Sequence, residues 1–469
     1  MSQASFLAHL SRHDQAGYYS ASTSNLNQMK QERSPSIITS NSNQMKQERS
    51  WGRKPLALFR RRLNSDSRPA LPPPAFALDV FDKSQPIFNV AEIKSQANNI
   101  QSDPHTTDLA PRITCFYNKP VELIRKEEYP HMNQGTYLDH SGTTIYARTL
   151  ITRFSTLLLT NLYGNPHSAN APADLSGAMV DAVRLETLRF LGADPAHYDL
   201  VFTANATAAI KMVGDAFRDL AEQTRTGRFW LGLFAYPGQS NLTGRRLPLE
   251  WAGRLRSSRD PLLRDTYTLL DAAALAMTSP MGRVFADPET APDFVCVSFY
   301  KIFGFPDLGG LVVRKESGHI LALRKYFGGG TVEMVSTIGK AWHLSKGLQN
   351  AAANRGDGKG HGGGSLHEGL EDGTLPFHSI LALGEAINVH AELYGSMENI
   401  SAHTNMLVRR LYNGMRQLRY GDGRPLCKVY EEEEDGRGTA FGDSKRQGAT
   451  VAFNVYRPDG GFEPHQLEL

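Results

Sequence analysis

The sequence predicts an α/β protein: a mainly parallel sheet flanked by helices, followed by a smaller C-terminal α/β lobe. Three observations predict it. From about Tyr117 onward, short apolar runs of strand length alternate with helical patterns. That alternation yields parallel strands covered by helices on both faces. Turn signals and a Gly-rich stretch then separate a shorter set of helices and strands near the C-terminus. Finally, 469 residues with 40% apolar and 21% charged side chains suffice for a large buried core.

The first segment stands apart. Residues 1–75 carry eleven Lys or Arg against four Asp or Glu, and they are rich in Ser, Asn, Gln and Pro. They contain a direct repeat, SNLNQMKQERS from Ser24 and SNSNQMKQERS from Ser40. Such a composition cannot bury enough apolar surface to offset its ordering entropy. Residues 1–110 therefore read as a disordered basic head. The basic run Arg53 to Arg62 reads as solvated charge, because a transit peptide would begin its amphipathic pattern near Met1.

The ordered part reads as follows. Residues 176–191 have apolar spacings of three and four, which predicts a helix, with Ser176 as its start signal. YDLVFT (Tyr198 to Thr203) predicts a strand and Ala206 to Phe217 a helix. Strands follow at 229–236, 267–270, 294–298 and 308–313. Residues 351–373 form a Gly-rich loop, and helices over 377–396 and 403–418 come next. Strands near 426–430 and 449–456 complete the pattern. The expected organisation is a large domain over 111–350, the loop 351–373 and a small lobe over 374–469, with an internal deletion near 217–229.

Composition excludes several classes. The formal net charge is +3, from 51 Lys plus Arg and 48 Asp plus Glu, which argues against a nucleic-acid partner. No apolar run reaches the length of a membrane span, so no membrane partner is expected. The 3 cysteines, Cys115, Cys296 and Cys427, are too few and too scattered for a disulfide framework or a zinc cluster. No metal site is expected, and the default compartment is reducing and cytoplasmic.

Three features carry chemistry, each at a strand-to-helix turn. TANATAAIK (Thr203 to Lys211) places Ala206 and Thr207 where exposed amides bind phosphate through hydrogen bonds and the helix dipole. A simple capped helix is the blander explanation. In LLDAAA, Asp271 ends an apolar strand and could pair with a cationic ring nitrogen; a helix N-cap is the alternative. In FVCVSFYKIFGFPDLGGLVV, Lys301 follows a strand expected to be buried, where a desolvated amine can form a Schiff base. A lysine snorkelling to the surface is the alternative. Together they form the set that pyridoxal 5′-phosphate requires: phosphate cup, carboxylate for the ring nitrogen, and lysine. The spacing from Asp271 to Lys301 suits neighbouring strands joined by a crossover.

The residues then resemble a known family. YLDHSGTTIY (from Tyr137), NPHS (from Asn165), FTANATAAIK, LFAYPGQSNLTG, LLDAAA, SFYKIFG, YFGGGTV and LEDGTLPFHSI occur in order. They look like the molybdenum cofactor sulfurases, in particular their N-terminal domain of class V aminotransferase or cysteine desulfurase type. The resemblance implies the type I fold of pyridoxal phosphate-dependent transferases. It implies that Lys301 holds the cofactor as an internal aldimine and that Asp271 pairs with the pyridine nitrogen. Asn241 would contact the ring hydroxyl, while Ala206, Thr207 and Ser298 would hold the phosphate. Thr331 would reach a phosphate across a dimer interface, and Tyr300 stands where many desulfurases place a histidine. The implied reaction moves sulfur from L-cysteine, through an enzyme persulfide, to the molybdenum cofactor and leaves L-alanine. A homodimer is implied as well.

The sequence also departs from that family. The acceptor cysteine would lie in a loop after FNVYRPDGG (Phe453 to Gly461), and the residues given contain no such loop. The arginine of that loop, which would hold the substrate carboxylate, and the cofactor-binding C-terminal domain have no counterpart either. Cys296 and Cys427 lie in apolar strand-like runs, where a buried inert thiol is the expectation. Phe217 runs almost directly into Phe229, and no His occurs between His197 and His319, so the ring-stacking histidine is missing. Activity of this chain is therefore expected to be absent or very low. The alternatives are a truncated, non-catalytic homologue that binds cofactor or a partner, and another pyridoxal-dependent lyase or aminotransferase.

Overall fold

The computed structural model describes residues 116–461 except 133–134, 224–231, 340–341, 348–364, 432–437 and 458–459. The expected head, most of the Gly-rich loop and part of the 217–229 junction lie outside the described residues, as does Cys115.

Helices α1 (Val121–Glu128), α2 (Arg148–Thr160) and α3 (Ala171–Leu191) precede the first strand. Helix α3 begins five residues before the expected Ser176. Asn170 caps it by accepting from the Ala173 amide, and a proline in the first turn suits positions that need no donor. Ser176 lies inside the helix, buried, and donates to the Pro172 carbonyl. Then come β1 (Tyr198–Thr203), α4 (Ala206–Gln223), β2 (Leu233–Pro237), β3 (Tyr267–Asp271), β4 (Phe294–Ser298), the short α5 (Phe299–Phe303) and β5 (Gly309–Arg314).

These strands form one five-stranded sheet in the order β1-β5-β4-β3-β2. Strands β2, β3 and β4 are parallel neighbours, while β5 runs against both β1 and β4. The reversal has a local cause. A parallel return needs a crossover of a dozen or more residues. Helix α5 is only 5 residues long, so the chain folds straight back.

Side chains alternate between two cores, as the two-residue period of a strand requires. Leu200, Phe202, Leu270, Val295, Val297 and Val312 face one cluster; Val201, Leu269, Phe294, Cys296, Leu311 and Val313 face the other. Helix α3 and helix α6 (Phe377–Tyr394) pack together over the first. Helix α4 and the helical segment Lys315–Leu323 cover the second. Each fully buried aliphatic side chain contributes about 1.5–3 kcal/mol, so β1, β4 and β5 hold much of the stability.

The remaining strands are peripheral. β6 (Val332–Ser336) and β7 (Trp342–Ser345) form a two-stranded hairpin. Helix α7 (Met397–Gln417) packs on the ribbon of β8 (Cys427–Tyr430) and β9 (Ala452–Val455) around Val408, Tyr412 and Phe441. Among the described residues, no helix is long and apolar enough to cross a membrane, and no group of residues could hold a metal ion.

Candidate functional site

Register brings the sequence motifs to one end of the sheet. Thr203 of β1 lies opposite Gly309, and Gly309 lies opposite Ser298 at the end of β4. Asp271 at the end of β3 lies opposite Cys296 and Pro237. Ligands of open α/β sheets bind outside the C-terminal ends of strands.

At β1, the chain turns into α4. A Cβ on Gly309 would stand 2.5 Å from the Asn205 backbone, so glycine alone permits this close approach. The Ala206 amide donates to Ser298 Oγ at 3.3 Å, joining two of the three residues expected to form the phosphate cup. Asn205 caps α4 by accepting from the Ala208 amide at 2.9 Å. Thr207 is exposed in the first turn. The capped helix and the candidate phosphate cup are thus the same structure.

At β4, Lys301 sits half-buried in α5. Gly304 ends that helix with φ 78°, and a Cβ there would meet the Ile145 carbonyl carbon at 2.5 Å. The Tyr300 carbonyl accepts from the Thr144 amide at 3.4 Å and the Thr143 hydroxyl at 3.5 Å. The YLDHSGTTIY segment is thereby fastened to the lysine turn. The Lys301 amine has no hydrogen-bond or ion-pair partner among the described residues. It lines a cleft of about 640 Å³.

At β3, Asp271 Oδ1 accepts from the Ala273 amide at 2.9 Å and from Cys296 Sγ at 3.6 Å. Cys296 is fully buried. Desolvation first, then the Asp271 charge, pushes its thiol pKa far above the usual range. It is an inert thiol, as the sequence suggested. Cys427 is half-buried in β8, with its pKa raised by burial.

Three other expectations meet different surroundings. Asn241 is exposed, in a turn closed by the Gly244 amide donating to the Ser240 carbonyl. Tyr300 is half-buried and contributes its carbonyl to the loop above. Thr331 is fully buried, does not line the Lys301 cleft, and donates its hydroxyl to the Gly328 carbonyl at 2.7 Å.

Sequence reasoning missed the histidines of the cleft. His140, His390 and His403 line it together with Lys301. His140 Nδ1 lies 2.6 Å from Thr144 Oγ1, and burial lowers its pKa. His390 is boxed by Phe190, Phe303 and Tyr394, and burial pushes it down to about 4. These residues come from before β1 and from α6 and α7, far from the phosphate-cup motif. His390, on the buried face of α6, was the available signal. The sequence also gave no hint of the buried pair of Arg184 and Glu371. Glu371 accepts from both terminal guanidinium nitrogens of Arg184 and from the Phe202 amide.

The fold matches an apo cysteine desulfurase from Thermococcus onnurineus NA1 with a TM-score of 0.50, over 74% of this chain and 84% of that one, at 19% identity. That defines the class: an α/β protein with the type I fold of pyridoxal phosphate-dependent transferases. No protein-family model matches the chain. The chain is 45% identical over 399 residues to the molybdenum cofactor sulfurase of Aspergillus niger, covering 76% of this chain and 45% of that protein. It is also 45% identical over 388 residues to that of Botryotinia fuckeliana, covering 74% of this chain and 45% of that protein. By sequence, therefore, the chain is a homologue of the molybdenum cofactor sulfurases. It spans less than half the length of these relatives.

Proposed function

We propose that this chain binds pyridoxal 5′-phosphate at Lys301 and is a cysteine desulfurase-type homologue whose own sulfur-transfer turnover is absent or very low. One observation carries the first half. The turn that carries Lys301, a helix N-terminus and a carboxylate stand at one end of the sheet, at the ends of β4, β1 and β3, while the cleft lined by Lys301 is not lined by Asp271, Ala206, Thr207, Ser298 or Asn241. These residues fit the cofactor. The Ala206 and Thr207 amides and the Ser298 hydroxyl suit a phosphate. Asp271, with its Oδ1 anchored by Ala273, suits a protonated ring nitrogen. Asn241 suits the ring hydroxyl. When bound, the cofactor supplies an electron sink for the α-carbon of an amino acid.

The second half rests on the thiols and the charges. Persulfide formation needs a thiolate placed at the substrate sulfur. Cys296 is locked behind Asp271, and Cys427 does not line the Lys301 cleft. Among the described residues no Arg lines that cleft to hold a substrate carboxylate. The full reaction, from L-cysteine to the molybdenum cofactor, would need groups beyond these. A homodimer and a cytoplasmic location complete the reading, with no nucleic acid or membrane partner. They are supported by the fold, the charge balance and the relatives.

The test is direct. The chain is incubated with the cofactor and dialysed, and its absorbance is compared with that of Lys301→Ala. A bound band that the substitution abolishes is expected; a band unaffected by it would remove the first half. L-cysteine is then added. Alanine and persulfide at the level of free cofactor are expected, and robust persulfide on the chain would overturn the second half.

A further inference from the structure

We propose that the inner end of the Lys301 cleft binds a neutral, planar aromatic molecule. The cleft, at about 640 Å³, falls in the size range of small-molecule sites and exceeds what a cysteine needs. Its inner wall is aromatic. Tyr117 stands 5.0 Å from Tyr394 and 4.7 Å from His403, ring centroid to ring centroid, and His390 stands 5.0 Å from Tyr394. Leu393 and Val408 add aliphatic surface. These rings pack against one another into a single wall that lines the cleft, and a flat ring can stack on such a wall.

Charge narrows the ligand further. Among the described residues the cleft is lined by no Asp, Glu or Arg, and Lys301 is its one cation. Burial keeps the other titratable groups neutral. It lowers His390 to about 4 and lowers His403, while it raises Tyr129 to about 12 and Tyr117 and Tyr394 further. A carboxylate carried to the inner end would lose its hydration and find no partner. The wall nevertheless offers polar contacts. His403 is 7% exposed, and its buried Nδ1 has no hydrogen-bond partner. His390, 4% exposed, makes no hydrogen bond among the described residues. A ring nitrogen or hydroxyl on the ligand would satisfy them. None of this depends on the cofactor reading.

The experiment uses the full chain without added cofactor. Lys301 is labelled with 4-methylbenzaldehyde or with 4-formylbenzoate in the presence of cyanoborohydride. The amine condenses with the aldehyde, the carbonyl oxygen leaves as water, and hydride from cyanoborohydride reduces the C=N bond to a secondary amine. Peptide mapping measures the rate at Lys301, normalised to free Nα-acetyllysine with each aldehyde. The neutral ring is expected to label about tenfold faster, equivalent to about 1.4 kcal/mol. Equal normalised rates would overturn the proposal. Ile400→Trp, which fills the cleft, is expected to slow 4-methylbenzaldehyde but leave propanal labelling of Lys301 unchanged. Unchanged labelling by the aromatic aldehyde in that variant would also overturn it. Should the variant misfold, so that both aldehydes label Lys301 at the rate of free Nα-acetyllysine, the ratio in the unmodified chain decides alone. Loss of cofactor absorbance with a retained ratio would remove the cofactor reading and leave this one standing.

Discussion

Strands β4 and β2 lie two positions apart in one sheet, yet every residue of β4 is buried and only Tyr236 of β2 is. β4 is flanked on both sides, covered on both faces, ends in the serine of the site and runs into the short helix that carries the lysine. Among the described residues β2 pairs only with β3, and it leaves Ala235 and Pro237 exposed. The sheet is thus complete on the side that would hold the phosphate and the lysine. Among the described residues it is less covered at β2, the strand that follows the segment where the resemblance expects a ring-stacking histidine. On the proposed reading, cofactor binding depends on β1, β5 and β4, and turnover on groups that the described residues do not supply.

The largest expected effect breaks the well-built side. Arg184 and Glu371 are 4% and 5% exposed, and the pair ties α3 to β1 through the Leu200 carbonyl and the Phe202 amide. Glu371→Ala leaves a buried guanidinium uncompensated and is expected to cost about 3–5 kcal/mol in urea unfolding. A loss below about 1 kcal/mol would show that the pair is not an anchor.

Gly309→Ala comes next. Its Cβ cannot fit against Asn205 without moving the β1 turn, so a loss of about 1–3 kcal/mol is expected, with weaker cofactor retention. Val295→Ala, deep in β4, is expected to cost about 2 kcal/mol.

The pH dependence of His390 sharpens the same contrast between buried and open positions. Burial lowers its folded pKa to about 4, below the ordinary histidine value. As pH falls, the unfolded chain takes up the proton first. The stability linked to this group is therefore complete above about pH 6.5 and is lost as pH falls towards 4. His390→Leu is expected to flatten the stability profile in that window; an unchanged slope would place the sensitivity elsewhere. The smallest effect belongs to the edge strand. Ala235→Ser in β2 is expected to change stability by no more than about 0.5 kcal/mol.

Much of this was legible in the residues. FVCVS and YDLVFT are continuous apolar runs, and a strand buried on both faces must read that way. The approach of Ala206 to Ser298, and of Asp271 to the strand that precedes Lys301, followed from the order of the turns. What escaped was set by contacts distant in sequence. Ser176 looked like a helix start because its own hydroxyl can cap, but Asn170 with a following proline does so better. β5 was expected among mainly parallel strands, and only the shortness of α5 reverses it. The histidines of the cleft come from three separate segments, and no local pattern links them.

The most direct test of the central claim is borohydride reduction of the cofactor-treated chain followed by peptide mapping. The account predicts one phosphopyridoxyl group per chain, on Lys301, and none on that peptide after Gly309→Ala has loosened the cup. Label scattered over surface lysines, or absent from Lys301, would contradict it.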